Sequence, residues 1–156
     1  MRSLSTAAIN SANDQNSGEV WLVLLTIAHP DILDGPIRLV SDMQDFVSRG
    51  NTYVALPFDV VLPGEDPDTA SKATLRVDNV DRRIVLALRQ LVSPPTVSIE
   101  VVLHSSPAYV EAGFYDLILR NAVYDADSVT AELAYEQVFV EPLSIIMTPQ
   151  RFPGLF

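Results

Sequence analysis

Between Glu19 and Ala28 the chain runs EVWLVLLTIA, almost without a polar residue. A run of that length, rich in β-branched and aromatic side chains and closed by His29-Pro30-Asp31, predicts a central strand covered on both faces. Ile37 to Val40 predicts a second, shorter strand after the turn residues Asp34-Gly35-Pro36. From Thr52 to Leu62 the pattern changes to strict alternation. Thr52, Val54, Leu56, Phe58, Val60 and Leu62 share one face, and Tyr53, Ala55, Pro57, Asp59 and Val61 the other. Pro57 has no N–H to give to a ladder, so this long strand must bend, bulge or lie at an edge there.

Ala73, Leu75 and Val77 alternate with Thr74 and Arg76, which predicts another strand. The period then lengthens. Ile84, Val85, Leu88, Leu91 and Val92 recur at helical spacing, opposite Arg82, Arg83, Arg89 and Gln90. Asp78 and Asn79 suit the N-cap, Asp81 suits the first turn, and Ser93-Pro94-Pro95 stops the helix. Burying that apolar face is worth about 8–12 kcal/mol before chain entropy is subtracted. Leu86 points away from it, among the arginines, and is a candidate partner contact.

Thr96 to Leu103 is expected as a strand with Val97, Ile99, Val101 and Leu103 inward. Ser105 to Gly113 is expected as a loop. Phe114 to Tyr124 and Ser128 to Tyr135 flank the turn Asp125-Ala126-Asp127, with a last strand between Val138 and Met147. Before all this, Ser3 or Ser5 could cap a short helix that Asn13 to Gly18 ends. The pattern predicts a mainly β fold, a β-sandwich or split barrel, with one amphipathic helix packed on the sheet. The expected layout is an N-terminal arm or short helix over 1–18, a single mainly-β domain over 19–147 and a C-terminal arm over 148–156.

Composition adds limits. The chain has 156 residues, enough for one core, and 48% are apolar. The formal net charge of −10 disfavours nonspecific binding to nucleic acid or anionic lipid. There are no cysteines, which excludes disulfides and thiolate metal sites. Arg2 is followed by small and polar residues rather than an apolar signal segment, and the run from Val20 to Ala28 is too short to span a bilayer.

Chemical candidates are few. A Ser–His–Asp set could be drawn from His29, Asp31 and a nearby serine, but no nucleophile-elbow motif accompanies it. His104 ends a strand. Glu65, Asp66 and Asp68, and also Asp125 and Asp127, are acidic loop clusters without calcium-loop spacing. No phosphate-binding loop or GxGxxG occurs. The expectation is therefore no catalytic residue, no metal and no cofactor. The terminal RFPGLF carries Phe152 and Phe156, which either fold back on the core or dock on an adjacent subunit.

The segments TIAHP, PIRLV, YVALPFDVVLP, ATLRVDNVDRRIVLALRQL and the terminal FPGLF together resemble a family of tail proteins of unknown function from the tail modules of long-tailed phages and prophages. The most specific parts are Pro57-Phe58, LRVDNVDR from Leu75 to Arg82, and Phe152 to Phe156. The resemblance implies a tail-tube-like β-fold and a minor structural component at the distal tail tip. It implies a homo-oligomeric ring, six-fold by analogy with a tube or three-fold by analogy with a hub. Tail tube protein, tape measure and hub proteins are the implied partners, in a virion assembled from protein made in the host cytoplasm. Arg82, Leu86, Arg89, Phe152, Pro153 and Phe156 are the candidate subunit interface. Two other readings are a β-sandwich module binding host receptor or carbohydrate, and a tail-assembly factor absent from the virion.

Overall fold

The structure is a computed structural model that describes residues 4–15, 17–32, 35–61, 72–78, 91–125 and 128–135. Of the helix expected after Asp78, residues 79–90 lie outside the described residues, whereas Leu91 and Val92, expected on its apolar face, are not helical and Val92 is 94% exposed. The expected acidic loop Pro63–Lys72, apart from Lys72 which opens the strand Lys72–Asp78, the last strand (138–147) and the C-terminal arm (148–156) lie outside the described residues. So do all six candidate interface residues.

Among the described residues one helix, α1 (Thr6–Asn13), precedes nine strands: β1 (Trp21–Ala28), β2 (Ile37–Val40), β3 (Phe46–Ser48), β4 (Asn51–Ala55), β5 (Phe58–Val61), β6 (Lys72–Asp78), β7 (Thr96–Leu103), β8 (Ser106–Tyr124) and β9 (Ser128–Ala134). The protein is thus mainly β. The nine strands form one mixed sheet in the order β3-β4-β2-β1-β7-β8-β9-β6-β5, antiparallel except where β2 meets β4.

The expected long strand over Thr52 to Leu62 is two strands. β4 ends at Ala55 and β5 begins at Phe58, with Leu56 and Pro57 between them. The bend at Pro57 is where the missing N–H demands it, but its consequence is global. β4 lies next to one end of the sheet and β5 is the other end. In a flat sheet those strands would stand about 34 Å apart, at about 4.8 Å per strand. Three Cα steps reach at most about 11 Å. The sheet must therefore curl until its ends meet. Ser41 Oγ, just after β2, donates to Phe58 O of β5 (3.3 Å) and so links the two ends, while Leu56 N–H to Val40 O (3.2 Å) and Asp78 N–H to Pro57 O (3.2 Å) carry the β2–β4 and β5–β6 pairings up to the bend. The inward parity also switches at the bend. Tyr53 is buried in β4, whereas Leu56 and Phe58 are buried beyond it.

Curling produces two cores. The larger lies inside, built from Leu25 and Ile27 of β1, Leu75 of β6, Ile99 of β7, Leu117 of β8 and Leu133 of β9, among others. The smaller lies on the opposite face of β1 and β7. There Leu22, Leu24, Val40, Tyr53 and Val102 pack with Phe46 and Val110. This explains why β1 is apolar on both faces, as its sequence required. Trp21 is the exception. It stands at the end of β1, 38% exposed, and its indole N–H donates to Ser11 Oγ (3.2 Å).

Two other expectations change. Ser41 to Asn51 contains a strand, β3, joined to β4 through Arg49-Gly50 with φ of 50° and 77°. Positive φ at both central residues is the two-residue hairpin turn whose twist suits paired strands. The segment from Ser105 to Gly113, expected as a loop, belongs almost entirely to the 19-residue β8. Its polar residues hid it: Glu111 breaks the alternation because it sits in a bulge. No described helix is long and apolar enough to cross a membrane.

Candidate functional site

Four register shifts interrupt the pairing of β8, one of them between Val102–Val110 and Leu103–Ser106, and the other three decide where its polar side chains go. Val101 pairs with Ala112 while Val102 pairs with Val110, so Glu111 is the extra residue. Ile99 pairs with Phe114 and Val97 with Leu117, so Tyr115 and Asp116 stand against Ser98 alone. Arg120 pairs with Glu132 and Val123 with Thr130, leaving Asn121 and Ala122 opposite Ala131. Asp116 and Asn121 have φ of 58° and 52°, the left-handed geometry that bulges use.

Each bulge re-aims a side chain. Glu111 is buried, and its carboxylate meets the start of α1. Ser5 N–H donates to Oε2 (2.8 Å) and Ser5 Oγ to Oε1 (2.5 Å). Ser5 Oγ in turn accepts from Ala8 N–H (3.1 Å), so Ser5 is the N-cap of the helix. Tyr115 turns back over Gly113 and donates its hydroxyl to Glu100 Oε1 (2.9 Å). A Cβ at Gly113 would lie 2.6 Å from that hydroxyl oxygen, so a larger residue there would have to displace the Tyr115 ring. Asn121 Nδ2 donates to Glu132 Oε2 (2.9 Å).

Glu100 accepts from both Arg49 and Tyr115. Both its oxygens face the guanidinium of Arg49, with Nη1 to Oε1 at 3.1 Å and Nη2 to Oε2 closing the fork. Its side chain is 10% exposed and that of Arg49 37%. The hydrogen bond to Glu100 raises the Arg49 pKa above its ordinary value, against an opposing effect of burial. Beside it, Ser48 Oγ donates to Pro107 O (2.6 Å). These groups tie the β3–β4 hairpin to β7 and β8 over the smaller core.

A second cluster gathers the residues from which a catalytic set could be drawn. His29 Nε2 lies 2.6 Å from Ser93 Oγ, and His29 Nδ1 lies 3.6 Å from Asp31 Oδ2. The imidazole is nearly buried, at 4% exposure. Ser93 opens on a groove lined by Leu91, Pro95, Arg120 and Asn121 among others. The arrangement has the members of a triad but the wrong proton. Asp31 N–H donates to Nδ1 (3.1 Å), so in the neutral ring Nδ1 is the acceptor and Nε2 carries the hydrogen. Nε2–H then donates to Ser93 Oγ. A general base needs the opposite tautomer, with Nδ1–H held by a carboxylate. As built, His29 fastens the β1–β2 turn to the segment entering β7.

The other histidine, His104, is exposed and packs its ring 5.7 Å from that of Phe46. Among the described residues no group of three or more His, Cys, Asp or Glu is placed to hold a metal ion. Asp125 is in the β8–β9 turn, where its N–H donates to Ser128 O (2.9 Å), and Asp127, Glu65, Asp66 and Asp68 lie outside the described residues. Sequence reasoning found His29 and Asp31 but could not supply Ser93, which is 64 residues away. It missed Glu100, Glu111 and Arg49 altogether. The available signal was a carboxylate inside an apolar strand, as in SIEVVL and YVEAGF.

Fold and ties together define a mainly β protein built round one curled, mixed sheet, with its convergent polar groups used to join elements. The chain belongs to the family described as Domain of unknown function (DUF1833), whose model matches residues 7–147. No curated protein matches the chain.

Proposed function

We propose that this protein is a structural component of a phage tail tip, forming a ring that joins the tail tube to the hub or receptor-binding apparatus. The observation that carries the reading is architectural. The described chain is mostly one curled sheet, and the polar groups that converge in it join one element to another. The sequence resemblance to tail proteins supplies the context. A head-to-tail contact between identical subunits closes into a ring when its rotation closes. The net charge of −10 suits a wall past which DNA moves without sticking.

The test is the composition of purified virions. The reading expects this chain in the particle at a small multiple of three or six copies. Its presence in infected cells but absence from particles would replace this reading with an assembly factor. Leu86→Glu is expected to leave the isolated chain folded and to impair assembly.

The partial exposure of Trp21 favours one second reading, a module that binds carbohydrate or a host receptor. Exposed aromatic rings stack on sugar faces, and Tyr109 is also exposed. Trp21→Ala should abolish binding of labelled host cell-wall polysaccharide if that reading holds. Unchanged binding would remove it.

A further inference from the structure

Helix α1 is eight residues long. A helix of that length does not persist in water on its own, so its order depends on docking. Yet the docking surface is sparse in apolar contact. Ala8 is its one fully buried side chain, while Leu4 beside it and Ile9 within it are exposed. What holds it is polar. Ser5 gives both its N–H and its hydroxyl to Glu111, and Ser11 Oγ accepts from the Trp21 indole (3.2 Å) and from Ser17 Oγ (2.8 Å). The sheet, by contrast, is held by two apolar cores to which α1 contributes no residue.

We propose that α1 is a latch: it releases as a unit while the sheet stays folded, and the Glu111 carboxylate is the group that keeps it closed. Negative charge at a helix N-terminus is favourable, and Glu111 places it there from another element. Because Glu111 is the extra residue of a bulge, the latch is coupled to the pairing of β7 with β8. Release takes both donors from a buried carboxylate, which then has to hydrate. It also frees the indole of Trp21.

Trp21 is the chain's single tryptophan, so its fluorescence reports the latch while far-UV circular dichroism reports the sheet. In a urea titration of the full chain, the tryptophan transition is expected at lower urea than the dichroism transition. Glu111→Gln leaves one acceptor for two donors, and Ser5→Ala removes the hydroxyl and the cap. In either variant the α1 amides of Ile9 and Asn13 should exchange with deuterium about tenfold to a hundredfold faster, the scale of a hydrogen bond to a charged group. Amides of Leu24 and Leu25 in β1 should keep wild-type rates. Coincident fluorescence and dichroism transitions would overturn the proposal. So would variants that speed exchange equally in helix and sheet, because α1 would then be part of one cooperative unit. If Glu111→Gln fails to fold, Ser5→Ala and the wild-type titration still decide.

Discussion

Arg49 and Glu100 allow the energetics of the hairpin tie to be worked through. Removing one partner of a fully buried ion pair costs about 3–5 kcal/mol, chiefly by stranding the other charge. Here the arginine side chain is 37% exposed, so water screens the pair and can reach the abandoned carboxylate. Tyr115 also continues to donate to it. Arg49→Ala should therefore cost about 2 kcal/mol, which in a domain of this size lowers Tm by roughly 4–8 °C. A second effect has the opposite sign in one variant. Arg49 has φ of 50°, left-handed geometry that costs a side-chain-bearing residue about 1 kcal/mol and glycine almost nothing. Arg49→Gly should thus be about 1 kcal/mol more stable than Arg49→Ala, although both lose the same ion pair. Urea unfolding followed by circular dichroism measures each, with an unchanged m-value required. A double-mutant cycle with Glu100→Gln should return a coupling of about 1–2 kcal/mol. A coupling below about 0.3 kcal/mol, within the error of additivity, would mean that the tie does not hold the hairpin. An Arg49→Gly variant weaker than Arg49→Ala would refute the turn assignment.

Three further outcomes are expected. Gly113→Ala drives a Cβ into the Tyr115 ring, so it should destabilise by about 1–2 kcal/mol in the wild type and much less in a Tyr115→Ala background, measured by urea unfolding. Burial, reinforced by the bond to Glu100, raises the Tyr115 pKa above its ordinary value near 10. Above that pH the unfolded state loses its proton first and binds fewer protons than the native state, so this contribution to stability falls as pH rises. The stability gap between wild type and Tyr115→Phe should accordingly narrow above about pH 10; a gap that holds constant would argue against the hydroxyl's bond to Glu100. Finally, a fluorophosphonate probe should leave Ser93 unlabelled at neutral pH, because Nε2–H of His29 cannot accept its proton; labelling abolished by His29→Ala would show the tautomer argument to be wrong.

Local pattern alone determined much of this protein. β1, β2, β6, β7 and β9 follow from apolar runs and alternation, since side-chain period and turn residues are properties of neighbours in sequence. A serine cap at Ser3 or Ser5 and an interruption at Pro57 follow from single-residue chemistry, though only the structure selects Ser5. Only the tertiary structure decided what those elements do to one another. That Leu56-Pro57 carries the chain between opposite ends of a sheet depends on strand order, which no local pattern encodes. That Glu111, Tyr115 and Asn121 turn towards partners depends on bulges, whose register is set by the facing strand. That Ser93 meets His29, and that Asp31 N–H then assigns the imidazole proton, depends on contacts 64 residues apart in one case and on hydrogen-bond direction in the other. A side chain's type limits the chemistry open to it, but its partner and its proton are fixed only when the sheet has closed around it.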